Sequence, residues 1–346
     1  MAKDKLNNEP ENKEPVDQKL DNENKKEDLT KTQILNLEKI KTPDIVIEKE
    51  EPDYDFEMDI ENKRTAHFLK YKKDKNISTI MMVLSVALLV AAFIMIVQQN
   101  QALTITGYVL LGVSLGAMIL YYLLNRKKFP NVTKDYIRQL CIDYDRHVFN
   151  DPKFKDVNLS YELKMNMTDI VADRVYAGST DIGSRNLCNG LFNHTKFKSA
   201  DLALYKQANK KSREVVFVGK YLSFENSVKA DGRIIINIKG PKNVDLPSDT
   251  EDLVNLKEEG DLVIYGVADA NISNYISSKA LSALKKISVK DYLMNINVVI
   301  WGGHTAVYLS YEDAVTNLPF DKKFEAAPIN QCRNNVVAIM SALTEN

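Results

Sequence analysis

From residue 76 to residue 125 the chain contains no Asp, Glu, Lys or Arg. A run of that length is more than one buried segment of a globular core takes up. It divides at a polar break, Gln98-Gln99-Asn100-Gln101, into apolar stretches at 77–97 and 103–124. Crossing roughly 30 Å of hydrocarbon takes roughly 20 apolar residues in a helix, and each stretch supplies them. In lipid the backbone has no water to bond, so each stretch must satisfy its own hydrogen bonds as an α-helix. The expectation is a transmembrane hairpin. A buried hairpin inside a large globular domain is the competing reading, and the length of the uncharged run counts against it.

The flanks set the orientation. Lys70, Lys72, Lys73 and Lys75 precede the first stretch, Arg126, Lys127 and Lys128 follow the second, and the connecting loop carries no charge. Lys and Arg beside spans stay cytoplasmic, which predicts a multi-pass protein of the cell membrane with both termini cytoplasmic. These cations, with Phe68, Leu69 and Tyr71 among them, suit anchoring at the headgroups of an anionic leaflet. Recognition of one particular anionic lipid is the sharper alternative. The polar residues within the spans are Ser78, Thr79, Ser85, Thr104, Thr106 and Ser114, and none ionises. That argues against an ion or proton pathway within one copy. Gly112-Val-Ser-Leu-Gly116 has the small-xxx-small spacing of close helix contacts. It is expected to pack the two spans together, with homodimerisation as the alternative.

Residues 1–62 read as a disordered cytoplasmic tail rich in Asn, Lys, Glu and Asp and broken by Pro10, Pro15, Pro43 and Pro52. Such a segment cannot bury enough apolar area to offset its ordering entropy. Ile34, Leu35, Leu37 and Ile40 make at most an amphipathic turn or two. The acidic stretch at 48–59 is interleaved with Tyr54, Phe56 and Met58; it reads as a solvated spacer, with a short partner-binding motif as the alternative. The N-terminus has no apolar signal segment, so the first span is expected to serve as the insertion signal. A formal net charge of −1 gives no case for nucleic acid. Cys141, Cys188 and Cys332, odd in number and far apart, fit free thiols in a reducing compartment.

After an anchor and hairpin at 63–129 comes a domain at 130–346. Pro130 is expected to end the second span. Tyr136, Ile137, Leu140, Tyr144 and Val148 then recur at helical spacing, with Asn131 or Thr133 as N-cap. A second helix fits 159–175, with Leu163, Met167, Ile170 and Val171 on one face, followed by a loop over 177–185. Strands at 195–205, 214–224 and 233–239 read as an antiparallel meander, with another strand at 261–266 and a helix at 271–286. The sharpest local signal is Gly302-Gly303 between 295–301 and 304–310. Two glycines suit a tight primed turn, which pairs Trp301 with His304 and Ile300 with Thr305. Ile296, Val298, Ile300, Thr305, Val307 and Leu309 then face the 271–286 helix, and the other face is amphipathic. A terminal helix buries Cys332, Val336, Ile339, Met340 and Leu343. The fold class is α+β, a mostly antiparallel sheet packed against helices.

No phosphate loop, dinucleotide glycine motif or nucleophile elbow is present. In Asp143-x-Asp145-x-His147 only the outer two residues share a helix face, and a solvated face is expected. Cys188 and His194 fall short of a zinc set. His304 beside Trp301 reads as a surface turn pair. Asp181 and Arg185 mark the remaining candidate loop. No catalytic residue, metal or cofactor is assigned.

The run Phe217-Val-Gly-Lys-Tyr-Leu-Ser-Phe224 and Gly232-Arg-Ile-Ile-Ile236, then Leu262-Val-Ile-Tyr-Gly-Val-Ala-Asp269, then Val307-Tyr-Leu-Ser-Tyr311 and Phe324-Glu325 resembles the bacterial domain of unknown function 3137 family. The resemblance implies paired membrane spans followed by a cytosolic α+β domain, and it implies no catalytic residues. The functional expectation is a membrane-tethered interaction or scaffold module. Its partners would be the lipid bilayer and a protein bound by the tail or the domain, with homo-oligomers allowed. The alternative is a sensor or carrier holding a small ligand or lipid. A membrane hydrolase using Cys or His ranks last.

Overall fold

A computed structural model describes residues 45–46, 55–98, 100–176, 178–209, 212–240, 252–287, 289, 293–311 and 322–345, with the backbone alone at 45–46 and 127–132. The expectations for residues 1–44 and 47–54, for Gln99 and for the Lys127 and Lys128 side chains lie outside the described residues.

Among the described residues two helices are long and apolar enough to cross a membrane. The first, α1, runs Phe56–Val97 over 42 residues, about 60 Å at helical rise. Asp55 caps it by accepting from the Met58 amide at 3.0 Å. The second, α2, is Gln101–Leu123, and the Asn100 side chain accepts from Ala102 N. The two pack where side chains are small. A Cβ on Gly107 would lie 2.7 Å from Ile96 Cγ1, and Ser114 Oγ donates to Ser85 O at 2.7 Å. Gly112 and Gly116 face open space, which corrects the expectation that this motif joins the spans. Val113 and Leu115 between them point outward as well.

Pro130 does not end the second span. The helix passes through a π-helical segment, Leu124–Lys128, straight into α3, Phe129–Val148. Proline is tolerated there because the switch from the wider π turn to α-helix leaves amide positions just after it without an intrahelical acceptor. The expected caps at Asn131 and Thr133 are therefore interior positions. The part of α1 before the apolar run lies antiparallel against α3. Phe56 stacks on His147 with ring centroids 3.9 Å apart, Lys63 Nζ reaches Asp143 Oδ2 at 2.9 Å, and His67 stacks on Tyr136 at 4.3 Å. Phe56 and Ile60 are buried in the main core. The end of the acidic stretch is thus structural, and the helix starts inside the expected 1–62 tail.

The sheet has ten antiparallel strands: β1 (Ile45–Val46), β2 (Phe154–Ser160), β3 (Asp181–Phe192), β4 (Thr195–Asn209), β5 (Ser212–Glu225), β6 (Arg233–Lys239), β7 (Val254–Glu259), β8 (Leu262–Gly266), β9 (Leu293–Trp301) and β10 (His304–Tyr311). Their order is β1-β2-β3-β4-β5-β10-β9-β6-β8-β7. The hairpin has the expected register, His304 opposite Trp301 and Thr305 opposite Ile300, with Gly303 at φ 77° closing the turn. Of the expected meander β4 and β5 pair, but the hairpin separates β6 from β5. Two helices are shorter than expected. The 159–175 helix is β2 followed by α4, Met167–Ala172. Positive φ at Asp156 makes a bulge that turns Phe154, Val157 and Leu159 to one buried side. The 271–286 helix is a 3-10 turn, Ile272–Asn274, then α5, Ser278–Leu284, capped by Ser277. The terminal helix α6 is Ala327–Thr344. The expected 177–185 loop is half strand, because β3 begins at Asp181.

One face of the sheet packs on α3, α5 and α6. Ile296, Val298 and Ile300 meet Ala280, Leu281 and Leu284 there, with Val336 and Ile339 of the last helix. The other face carries a second core around Ile170, Val175 and Tyr176 after α4, with Val299, Ala306 and Tyr308 of the hairpin. Burial on both faces explains the unbroken Ile234-Ile235-Ile236 of β6.

Candidate ligand-binding cleft

Strands β5, β10 and β9 are neighbours in mid-sheet. Alternation puts Tyr221, Ser223 and Glu225 of β5, His304 and Tyr308 of β10, and Trp301 of β9 on the face away from α3. The chain leaving α4 crosses this face and sets Asp173 on it, fully buried. Asp173 Oδ2 accepts from Tyr221 Oη at 3.0 Å and from Tyr308 Oη at 2.7 Å. Its Oδ1 lies 3.2 Å from His304 Nε2. The Arg233 guanidinium donates to the Asp173 carbonyl at 3.3 Å, to the Arg174 carbonyl and to Asp252 Oδ1 at 2.8 Å. Two phenol donors compensate Oδ2 for its lost water, while Oδ1 is buried with no hydrogen-bond partner among the described residues and has only the imidazole edge nearby. Burial, with Asp173's charge added, pushes the Tyr221 and Tyr308 hydroxyls well above their ordinary range. Both therefore stay protonated donors at neutral pH.

The His304 ring leans on Trp301 with centroids 5.0 Å apart and 28% of its side chain is exposed. Nε2 is buried and lies near Asp173 Oδ1 without hydrogen-bond geometry. Beside this pair opens a cleft of about 610 Å³ floored by Tyr221, Ser223, Trp301 and His304. Small-molecule sites span roughly 300–1,000 Å³. The walls come from α4 through Asp169 and Ala172, from β2 and β3 through Asn158 and Asn189, and from β4 through Lys196 and Lys198. The Asn193 amide in the β3–β4 turn donates to Lys153 O, just past the end of α3, at 3.2 Å. The turns beside the cleft thus lie at the end α3 reaches last. Roughly 20 residues of α1, about 30 Å, separate that level from the apolar hairpin.

A second buried polar cluster lies under the opposite face. Lys220 Nζ pairs with Asp145 and, at 2.9 Å, with Asp201, while Asn186 donates to Asp201 Oδ2 at 3.0 Å. The ammonium also lies 5.5 Å from the Tyr144 ring centre. Burial raises the Asp145 carboxyl to about 7 against the pull of Lys220. For Lys220 the two carboxylates outweigh burial and hold the ammonium above its ordinary value. This cluster ties α3 to β4 and β5. No cavity adjoins it among those described, so its role is structural.

The Asp143, Asp145 and His147 side chains are all buried, which corrects the solvated helix face. Their partners come from distant segments: Lys63, Lys220 and, at 2.8 Å from His147 Nε2, Asn330. Asp181 of β3 pairs with Arg213 of β5, two strands away, and Arg185 faces Asp201 across β3 and β4. Neither lines the cleft. Cys188 is fully buried with its thiol pushed up by burial, whereas His194 is exposed in the β3–β4 turn; the two do not converge. Among the described residues no group of three or more His, Cys, Asp or Glu side chains could hold a metal ion. At the membrane flanks Lys72 sits over Phe68, Lys75 over Tyr71 and Arg126 over Tyr122, at 6.0, 5.8 and 5.5 Å. Lys70 and Lys73 are exposed. The His304 pair, read as a surface feature, is the residue set sequence reasoning missed. Its partner Asp173 is far away in sequence, and the only trace is a charged residue amid apolar Ile170, Val171 and Val175.

No protein-family model matches the chain, and no curated protein matches it. Among solved structures the chain is similar to the crystal structure of the mycobacterial trehalose monomycolate transport factor A, at 11% identity, over 52% of this chain and 88% of that chain, with a TM-score of 0.31. So slight a likeness carries no argument about this chain.

Proposed function

We propose that this is an integral protein of the cell membrane whose two spans hold a cytoplasmic binding module, and that the module takes a small molecule in the cleft beside His304. The spans are supported by their length and by an outward-facing surface, since only 11% of each apolar window is buried. The cationic flanks support the cytoplasmic orientation of both termini. One observation carries the binding role: a cleft of ligand size beside a buried carboxylate, one oxygen of which takes two tyrosine hydroxyls, and a partly exposed histidine. Binding sites combine apolar walls with a few placed polar groups of this kind. The helical stalk packs into the domain core, so it fixes the cleft relative to the bilayer.

Native mass spectrometry of the full chain in detergent tests the reading. The wild type should carry excess mass that leaves on denaturation, and Ser223→Phe, which fills the cleft floor, should carry none. A wild type that shows bare mass, and gains none after dialysis against the small-molecule fraction of its host cytosol, would overturn it.

A further inference from the structure

The rim of the cleft is mixed in charge. Lys196 and Lys198 stand among Asp156, Asp169 and Glu225, and these residues form no ion pair with one another. A strongly anionic ligand would face three carboxylates, and a cationic one two ammonium groups, each at a desolvation cost. A neutral ligand meets neither penalty. The neutral polar groups are those that both donate and accept: the Asn158 and Asn189 amides and the Ser223 hydroxyl. Hydroxyl groups match such partners, because each also donates and accepts.

His304 adds a polar ring edge. Its Nε2 lies 3.2 Å from Asp173 Oδ1, without hydrogen-bond geometry between them, and the ring is on the cleft floor. Trp301 supplies an apolar aromatic surface on the same floor, suited to the C–H face of a ring.

We propose that the cleft binds a neutral, hydroxyl-bearing ring of the sugar class, with the His304 imidazole edge, Asn189 and Ser223 exchanging hydrogen bonds with its hydroxyls and Trp301 beneath the ring. The inference rests on the reading of the cleft as a ligand site.

Trp301 is the chain's one tryptophan, so intrinsic emission of the full protein in detergent reports on this cleft alone. The probes are glucose, N-acetylglucosamine and maltose, with inorganic phosphate and putrescine as charged comparisons. A neutral sugar should change the emission saturably, and neither charged probe should. His304→Gln and the exposed-rim variant Asn189→Ala should each weaken the response about tenfold, as expected for one lost hydrogen bond. Asn189 is exposed, so its loss of response would not come from misfolding. A saturable response to phosphate or putrescine and none to the sugars would overturn the sugar class while leaving the cleft as a binding site. Silence to all five probes with a response to the cytosolic small-molecule fraction would do the same. Silence to that fraction as well would overturn both.

Discussion

Lys220→Met removes the cation from a site that holds two carboxylates. Asp145 is fully buried and Asp201 is 14% exposed; Arg185, opposite Asp201 across β3 and β4, is the guanidinium that remains near them. The lysine stem's apolar contacts are kept by methionine, so the loss is that of the charge. Removing one partner of a buried pair leaves an uncompensated ion and costs about 3–5 kcal/mol. For a domain of this size that is a Tm loss of roughly 6–20 °C. The cost should be larger above neutral pH than below, because burial already raises the Asp145 carboxyl from 3.8 to about 7. The sign follows from linkage: a raised carboxyl holds its proton more tightly folded than unfolded. Its contribution is greatest below about pH 4 and is lost as pH rises through about 7. Asp145→Asn should flatten that part of the stability profile. Lys220→Met with Asp145→Leu should recover much of the single-variant loss, since an apolar replacement of a buried pair is often neutral. The assay is thermal unfolding of the detergent-solubilised chain by near-ultraviolet circular dichroism across pH. A Lys220→Met loss within about 1 kcal/mol, the range of an exposed pair, would refute the buried-ion account.

Three further outcomes follow from the anchor and stalk. Phe56→Ala deletes a ring held between His147 and Phe324; it should cost about 3–5 kcal/mol and open the start of α1 to limited proteolysis, whereas a solvated spacer would show neither effect. Gly107→Leu should destabilise the hairpin by about 1–3 kcal/mol through overpacking, measured by unfolding in detergent, while Gly112→Leu and Gly116→Leu should leave that contact unchanged. Gln98→Cys in the loop should react with an impermeant thiol reagent on intact cells, and the buried native thiols should not; failure to label would oppose the orientation.

What the sequence made legible was set by local rules. The uncharged run revealed two apolar helices of membrane-spanning length, because hydrocarbon imposes length and helicity together. Gly302-Gly303 disclosed the hairpin and its register, because a two-residue loop admits one pairing; the positive φ falls on Gly303 alone, so the turn is not of the primed type expected. The Cys332, Val336, Ile339 and Met340 stripe disclosed α6. The misreadings occur where distant segments decide. The spacing of Leu159, Leu163, Met167 and Ile170 is helical, yet a bulge at Asp156 and pairing with β3 make the first part a strand. Asp143, Asp145 and His147 looked solvated because their partners are Lys63, Lys220 and Asn330. The cleft was hidden for the same reason: Tyr308 and Asp173 meet across 135 residues, and no local pattern marks such a pair.

The central claim is that the His304 cleft of the membrane-tethered domain holds a small molecule. Acrylamide quenching of Trp301 in the full chain, before and after adding the small-molecule fraction of the host cytosol, tests it most directly. Quenching should fall in the wild type and stay unchanged in Ser223→Phe. Equal quenching of the wild type with and without that fraction would contradict the account.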